Sequence, residues 1–103
     1  MVQSKYSGDN LSKTELQALY NDAYRELRRT NYDESLELFK KYVETNKKNK
    51  NKKVKKQVFW AIDQISRIYL RVNKDTNGAI KYLDEISKTI KFSDAEEDDI
   101  NEW

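Results

Sequence analysis

The sequence predicts an all-α fold of two antiparallel helical hairpins, arranged as a stack of paired helices or as a four-helix bundle, with a short helix or a tail after them. Three observations predict it. Proline is absent and glycine occurs only at Gly8 and Gly78; sheet-rich chains use both residues to make tight turns, whereas helix interiors need neither. Four segments carry apolar residues at 3.6-residue spacing, the pattern of an amphipathic helix. The chain is 37% hydrophobic and 37% charged, which suits helices with solvated outer faces, and its 12% aromatic content sets it apart from disordered chains of similar charge.

The 103 residues fit one domain, divided into a polar arm at residues 1–11, a helical domain at 12–92 and an acidic tail or capping helix at 93–103. The first helix opens on a capping box, Ser12 with Glu15, and carries Leu16, Leu19, Tyr20, Ala23, Tyr24 and Leu27. After Thr30, Asn31 with Glu34 predicts a second capping box and a helix with Leu36, Phe39, Tyr42 and Val43. Residues 46–53 hold no apolar side chain and read as a loop. The third helix, 54–72, has the stripe Val58, Ile62, Ile65, Tyr69 and Val72, flanked by Phe59, Ala61 and Ile68. Residues 73–78 form a turn. The fourth helix carries Ala79, Ile80, Leu83, Ile86 and Ile90, and Ser93 with Glu96 offers a third capping box. The expected core is Leu16, Leu19, Ala23, Leu27, Leu36, Phe39, Val43, Val58, Ile62, Ile65, Tyr69, Ala79, Leu83 and Ile86.

The two hairpins look alike. In each second helix a small residue is followed four positions later by a large one, Ser35 by Phe39 and Ala79 by Leu83. A small side chain lets paired helices approach and the large one fills the space beyond. Together with the turn string Asn31-Tyr32-Asp33-Glu34-Ser35 and the run Ile62, Ile65, Ser66, Tyr69, this resembles the tetratricopeptide repeat, in a degenerate two-repeat form. The resemblance spans about residues 16–90. It departs in lacking the closing proline, in the poor fit of the first helix, and in a repeat offset of 44 residues between Ser35 and Ala79 against the family's 34. Most of the excess falls in the Lys/Asn loop. The resemblance implies that the first helix of each hairpin lines a concave face, presenting Tyr20, Tyr24 and Arg28 from one and Asp63, Arg67 and Arg71 from the other; the alternative for Tyr20 and Tyr24 is that they are core residues. Tyr20 and Tyr24 stand where the carboxylate clamp of chaperone-binding members would be, so binding of chaperone tails is not implied.

Histidine and cysteine are both absent. The usual activating base, the commonest metal ligand and any thiol nucleophile are therefore missing, and two isolated glycines cannot make a phosphate loop. We expect neither an enzyme nor a bound cofactor or metal. No apolar run approaches the ~18 residues of a membrane span, and the expected compartment is the cytoplasm, with the nucleus as the alternative. Net charge is only +2, but its distribution is uneven. Lys47, Lys48, Lys50, Lys52, Lys53, Lys55 and Lys56 form a basic run: a solvated loop, or an anion contact. Lysine attracts phosphate but reads bases poorly. Residues 94–102 carry six carboxylates before Trp103, which either caps the domain or docks on a partner, tryptophan being common among binding hot spots.

The leading expectation is a non-enzymatic protein-interaction module, an adaptor or assembly subunit that grips a protein or peptide in a helical groove or associates with itself. A nucleic-acid-binding accessory protein working through residues 47–56 is the alternative. A small viral or mobile-element protein that inhibits a host factor by masking it is the third reading.

Overall fold

Ser12 opens the first helix in the computed structural model, which describes residues 12–90. The expectations for the arm at 1–11, the Ser93–Glu96 box, the acidic stretch and Trp103 lie outside these residues. Helix α1 spans Lys13–Arg28. Ser12 Oγ accepts from the Glu15 backbone N–H at 3.1 Å, and Glu15 Oε1 accepts from the Ser12 N–H at 3.1 Å. This is the predicted capping box, and it satisfies two donors that a bare helix start leaves orphaned.

The end of α1 is a left-handed turn. Thr30 takes φ 62°, the Asn31 N–H donates to Glu26 C=O at 2.9 Å, and the Thr30 N–H donates to Leu27 C=O at 3.1 Å. These are the two bonds of a Schellman ending. The turn returns the chain as α2, Tyr32–Asn46, antiparallel to α1. The predicted Asn31–Glu34 capping box does not form, since Asn31 makes no side-chain cap bond. Its backbone N–H, which Glu34 would need, is already committed to Glu26, and its side-chain amide donates to Glu26 Oε2 at 2.6 Å.

Helix α3 runs over Lys52–Arg67, starting two residues earlier than predicted because Asn51 Oδ1 accepts from the Val54 N–H at 3.1 Å. The loop shortens from the other side too. Asn46, expected within it, ends α2 as a buried residue that donates to Tyr42 C=O at 3.0 Å. Beyond Arg67 the chain continues as a π-helical turn, Ile68–Val72, with the Asn73 N–H on Ile68 C=O at 3.0 Å. Five-residue bonding advances less angle per residue than an α-helix does, so the apolar stripe falls out of phase. Ile68 is buried, while Val72, expected in the stripe, is 40% exposed. Lys74 then takes φ 54° and α4, Thr76–Ser87, begins. Asp75 caps it, Oδ1 accepting from the Gly78 N–H at 2.8 Å. Gly78, expected in the turn, is thus inside the helix, where a Cβ would collide with the capping carboxylate.

Each helix packs antiparallel on the one before it: α1 on α2, α2 on α3, and α3 with its π turn on α4. Among the described residues α1 and α4 share no comparable face, and no strand occurs. The fold is all-α, as the spacing predicts. Ser35 and Ala23 are fully buried where α1 meets α2, and Ser35 Oγ donates to Ala23 C=O at 2.8 Å, so the small residue does allow close approach. One core joins Leu19, Ala23, Phe39, Val43, Ile62 and Ile65 with most of the other buried apolar residues, and Ala79 is buried apart from it. Leu16, Leu27, Tyr69 and Leu83, expected inside it, pack on its edge half-buried. Ile80, from the predicted fourth stripe, is 59% exposed.

Candidate interaction surfaces

Tyr20 and Tyr24 sit one turn apart on α1, facing α2. Tyr20 is buried, with its ring centroid 5.0 Å from Tyr24 and 4.9 Å from Tyr42. Tyr24 meets Phe39 edge-on at 4.9 Å. Edge-on and tilted pairs match positive ring edges to negative faces and add to the gain from burial. The Tyr20 hydroxyl donates to Tyr24 Oη at 3.4 Å. Burial drives the Tyr20 phenol far above its ordinary range, with the Tyr24 hydrogen bond and the charges of Tyr24 and Tyr42 adding to it. Burial likewise pushes Tyr42 up to about 12, and its hydroxyl donates to Gln57 Oε1 at 2.6 Å. The implied concave display therefore needs correcting at Tyr20, which is a core residue, and at Tyr24, which belongs to the same aromatic cluster. Phe39 and Tyr42 claim those rings from across the hairpin.

The remaining implied residues lie outside. Arg28 is exposed in the last turn of α1. Asp63 and Arg67, one turn apart on α3, form an ion pair with Arg67 Nε 3.0 Å from Asp63 Oδ2. Arg71 follows on the π turn, exposed. The structure adds a residue that the sequence reading passed over. Trp60 is 39% exposed, half a turn away from the stripe of Val58, Ile62 and Ile65. A tryptophan out of phase with its own helix's apolar stripe is a signal legible in the sequence. Trp60 shares a helix face with Gln57, whose side-chain amide reaches Gln17 of α1 at 3.5 Å. The outward side of α3 thus carries Trp60, Asp63 and Arg67, and the π turn adds exposed Leu70, Arg71 and Val72.

The lysine run is split by the fold. Lys47, Lys48, Lys50 and Lys55 line a cleft of about 380 Å³ together with Asn46, Asn49 and Thr89, over apolar Val58, Phe59 and Ile90. Lys52 and Lys53 stand outside it, exposed on the first turn of α3, and Lys56 is half-buried. The asparagines shape the loop. The Asn49 N–H donates to Asn46 C=O at 2.9 Å, and Asn49 Oδ1 accepts from the Asn51 N–H at 2.8 Å. Lys47 pairs with Glu44 at 2.6 Å. The first turn of α3 has no acidic residue, so its lysines stand at the positive end of the helix dipole, the reverse of the favourable arrangement.

No protein-family model, no curated protein and no solved structure matches this chain. Among the described residues no helix is long and apolar enough to cross a membrane.

Proposed function

We propose that this protein is a non-catalytic interaction module, an adaptor or assembly subunit, that binds a partner protein through the outward face of α3. The observation that carries this reading is Trp60, held exposed opposite the core stripe of its own helix, followed along the same side by Arg67 and then by exposed Arg71 on the π turn. Tryptophan and arginine dominate binding hot spots because one offers a large rigid apolar surface and the other a planar fork of donors. The π turn at the end of this face supports the reading, since such turns are frequent at functional sites. The serial packing of the helices supports a repeat-like stack, whose end faces and outer helix sides remain available to a companion.

Affinity capture with the wild-type chain, Trp60→Ala and Arg67→Glu/Arg71→Glu tests it. All three substituted residues are exposed, so helix content by circular dichroism should be unchanged. Loss of a hot-spot tryptophan should weaken the partner by about 30-fold or more, on the order of 2 kcal/mol. Full retention of the same partner by both variants would sink this site. Nucleic-acid binding through Lys48, Lys50, Lys52 and Lys53 is the competing reading, favoured by their exposure. It predicts capture that collapses with salt and is indifferent to Trp60.

A further inference from the structure

The cleft beneath the α2–α3 loop combines two features that rarely coincide on a merely solvated loop. Four lysines stand at its rim, and its floor is Val58, Phe59 and Ile90. A phosphate backbone needs the charge but not the floor, and a purely apolar ligand needs the floor but not the charge. The ligand that uses both is a peptide segment rich in carboxylates and carrying a bulky apolar side chain. Lysine suits a run of Asp and Glu, because a point charge on a flexible stem follows several carboxylates without a fixed fork geometry.

We propose that the occupant is the acidic stretch of this same chain, residues 94–103. It contains Asp94, Glu96, Glu97, Asp98, Asp99 and Glu102, with Ile100 and Trp103 among them. Ile90 is itself part of the cleft floor, so residues 91–93 alone separate the cleft from the first carboxylate. Three extended residues reach about 10 Å, so the tether is short and the effective concentration at the cleft is high, on the millimolar scale. The carboxylates would meet Lys48, Lys50 and Lys55, while Lys47 already has Glu44. They would also supply the negative charge that the first turn of α3 lacks. This contact lies on a different surface from the α3 face proposed for the partner, and either can fail alone.

Trp60 and Trp103 are the only tryptophans, so the full-length chain carrying Trp60→Phe reports on Trp103 alone. We expect its fluorescence to be blue-shifted and shielded from acrylamide, independent of protein concentration. Lys48→Glu/Lys50→Glu in that background should red-shift the emission and expose the indole, and Asp98→Asn/Asp99→Asn together with Glu96→Gln should do the same from the other side. Circular dichroism should show an intact fold in each. A Trp103 already fully quenchable before the lysines are changed overturns the proposal. So does a shielded Trp103 that ignores both sets of variants, which would place the segment elsewhere. Shielding that grows with protein concentration would assign the cleft to a second copy and overturn the intramolecular contact.

Discussion

Tyr82 packs its ring beside Tyr69, centroids 6.3 Å apart, and Lys40 Nζ lies 5.8 Å from its centroid while donating to the Tyr69 hydroxyl at 3.0 Å. The Tyr82 hydroxyl is buried and has no hydrogen-bond partner among the described residues. Burial raises its pKa well above the ordinary phenol range, with the charge of Glu44 and Tyr69 adding. A buried hydroxyl without a partner carries its desolvation penalty uncompensated. Tyr82→Phe should therefore be neutral or stabilise the protein by up to about 1 kcal/mol, whereas Tyr42→Phe, which removes the 2.6 Å bond to Gln57, should cost about 1 kcal/mol. Urea midpoints for the two variants give the comparison. A Tyr82→Phe variant that loses as much as Tyr42→Phe would show that the Tyr82 hydroxyl is satisfied after all. Spacing alone put Tyr42 in the apolar stripe, and it is there. Tyr20 and Tyr24 lie at the edge of a broad stripe, where the same spacing fits a groove or a core. Only the approach of Phe39 and Tyr42 from α2 decides for the core, and that is a tertiary fact no single helix encodes.

The places where helices break were legible, and the geometry of the breaks was not. Ser12–Glu15 announces α1 because both members of the box are local and nothing else competes for them. The left-handed form of the stops is hidden because neither left-handed residue is glycine. Thr30 and Lys74 hold φ 62° and 54°, and Thr is β-branched, which makes the left-handed region costly for it. The Asn31 box failed for the same reason: the hidden Schellman turn had already engaged Asn31. Relief of a left-handed non-glycine residue is worth roughly 1–2 kcal/mol, offset in part by the extra freedom glycine gives the unfolded chain. Thr30→Gly should raise stability by about 0.5–1 kcal/mol, and Lys74→Gly by less, since Lys lacks the branched Cβ. Thermal unfolding of the two variants measures the order. Destabilisation by Thr30→Gly would mean that the turn between α1 and α2 is not left-handed. The π turn escaped the sequence for a different reason. Residues 68–72 continue an apolar pattern that fits an α-helix, and the slip in phase becomes visible only as Val72 outside and Ile68 inside.

At the scale of the whole molecule, the absence of proline and the four periodic stripes were enough for the all-α class. Which helix touches which was not encoded in any stripe, because an amphipathic face specifies that it must be covered and not by what. The order that results, each helix on its predecessor, spreads three perturbed phenols over the structure: Tyr20 on α1, Tyr42 on α2 and Tyr82 on α4, each raised chiefly by burial. A phenol that holds its proton more tightly when folded than when unfolded leaves stability untouched below about pH 10, where both states are protonated. Above that pH the unfolded chain loses the proton first. The stabilising contribution then drains away as pH rises toward the folded value, by up to about 1.4 kcal/mol per pH unit for each phenol. Tyr42 completes its share near pH 12, and the other two go on falling beyond it. The protein should accordingly hold its stability up to about pH 10 and then unfold steeply with added base. Tyrosinate absorbance followed beside circular dichroism separates this from lysine deprotonation. Three of the seven tyrosines should ionise only together with the loss of helix. Tyr20→Phe should make the fall in stability above pH 10 shallower, because it removes the most strongly shifted of the three. If all seven ionised in a single step while helix content stayed intact, the aromatic seam between α1 and α2 would have to be open to water, and the packing order described here would be wrong at its first joint.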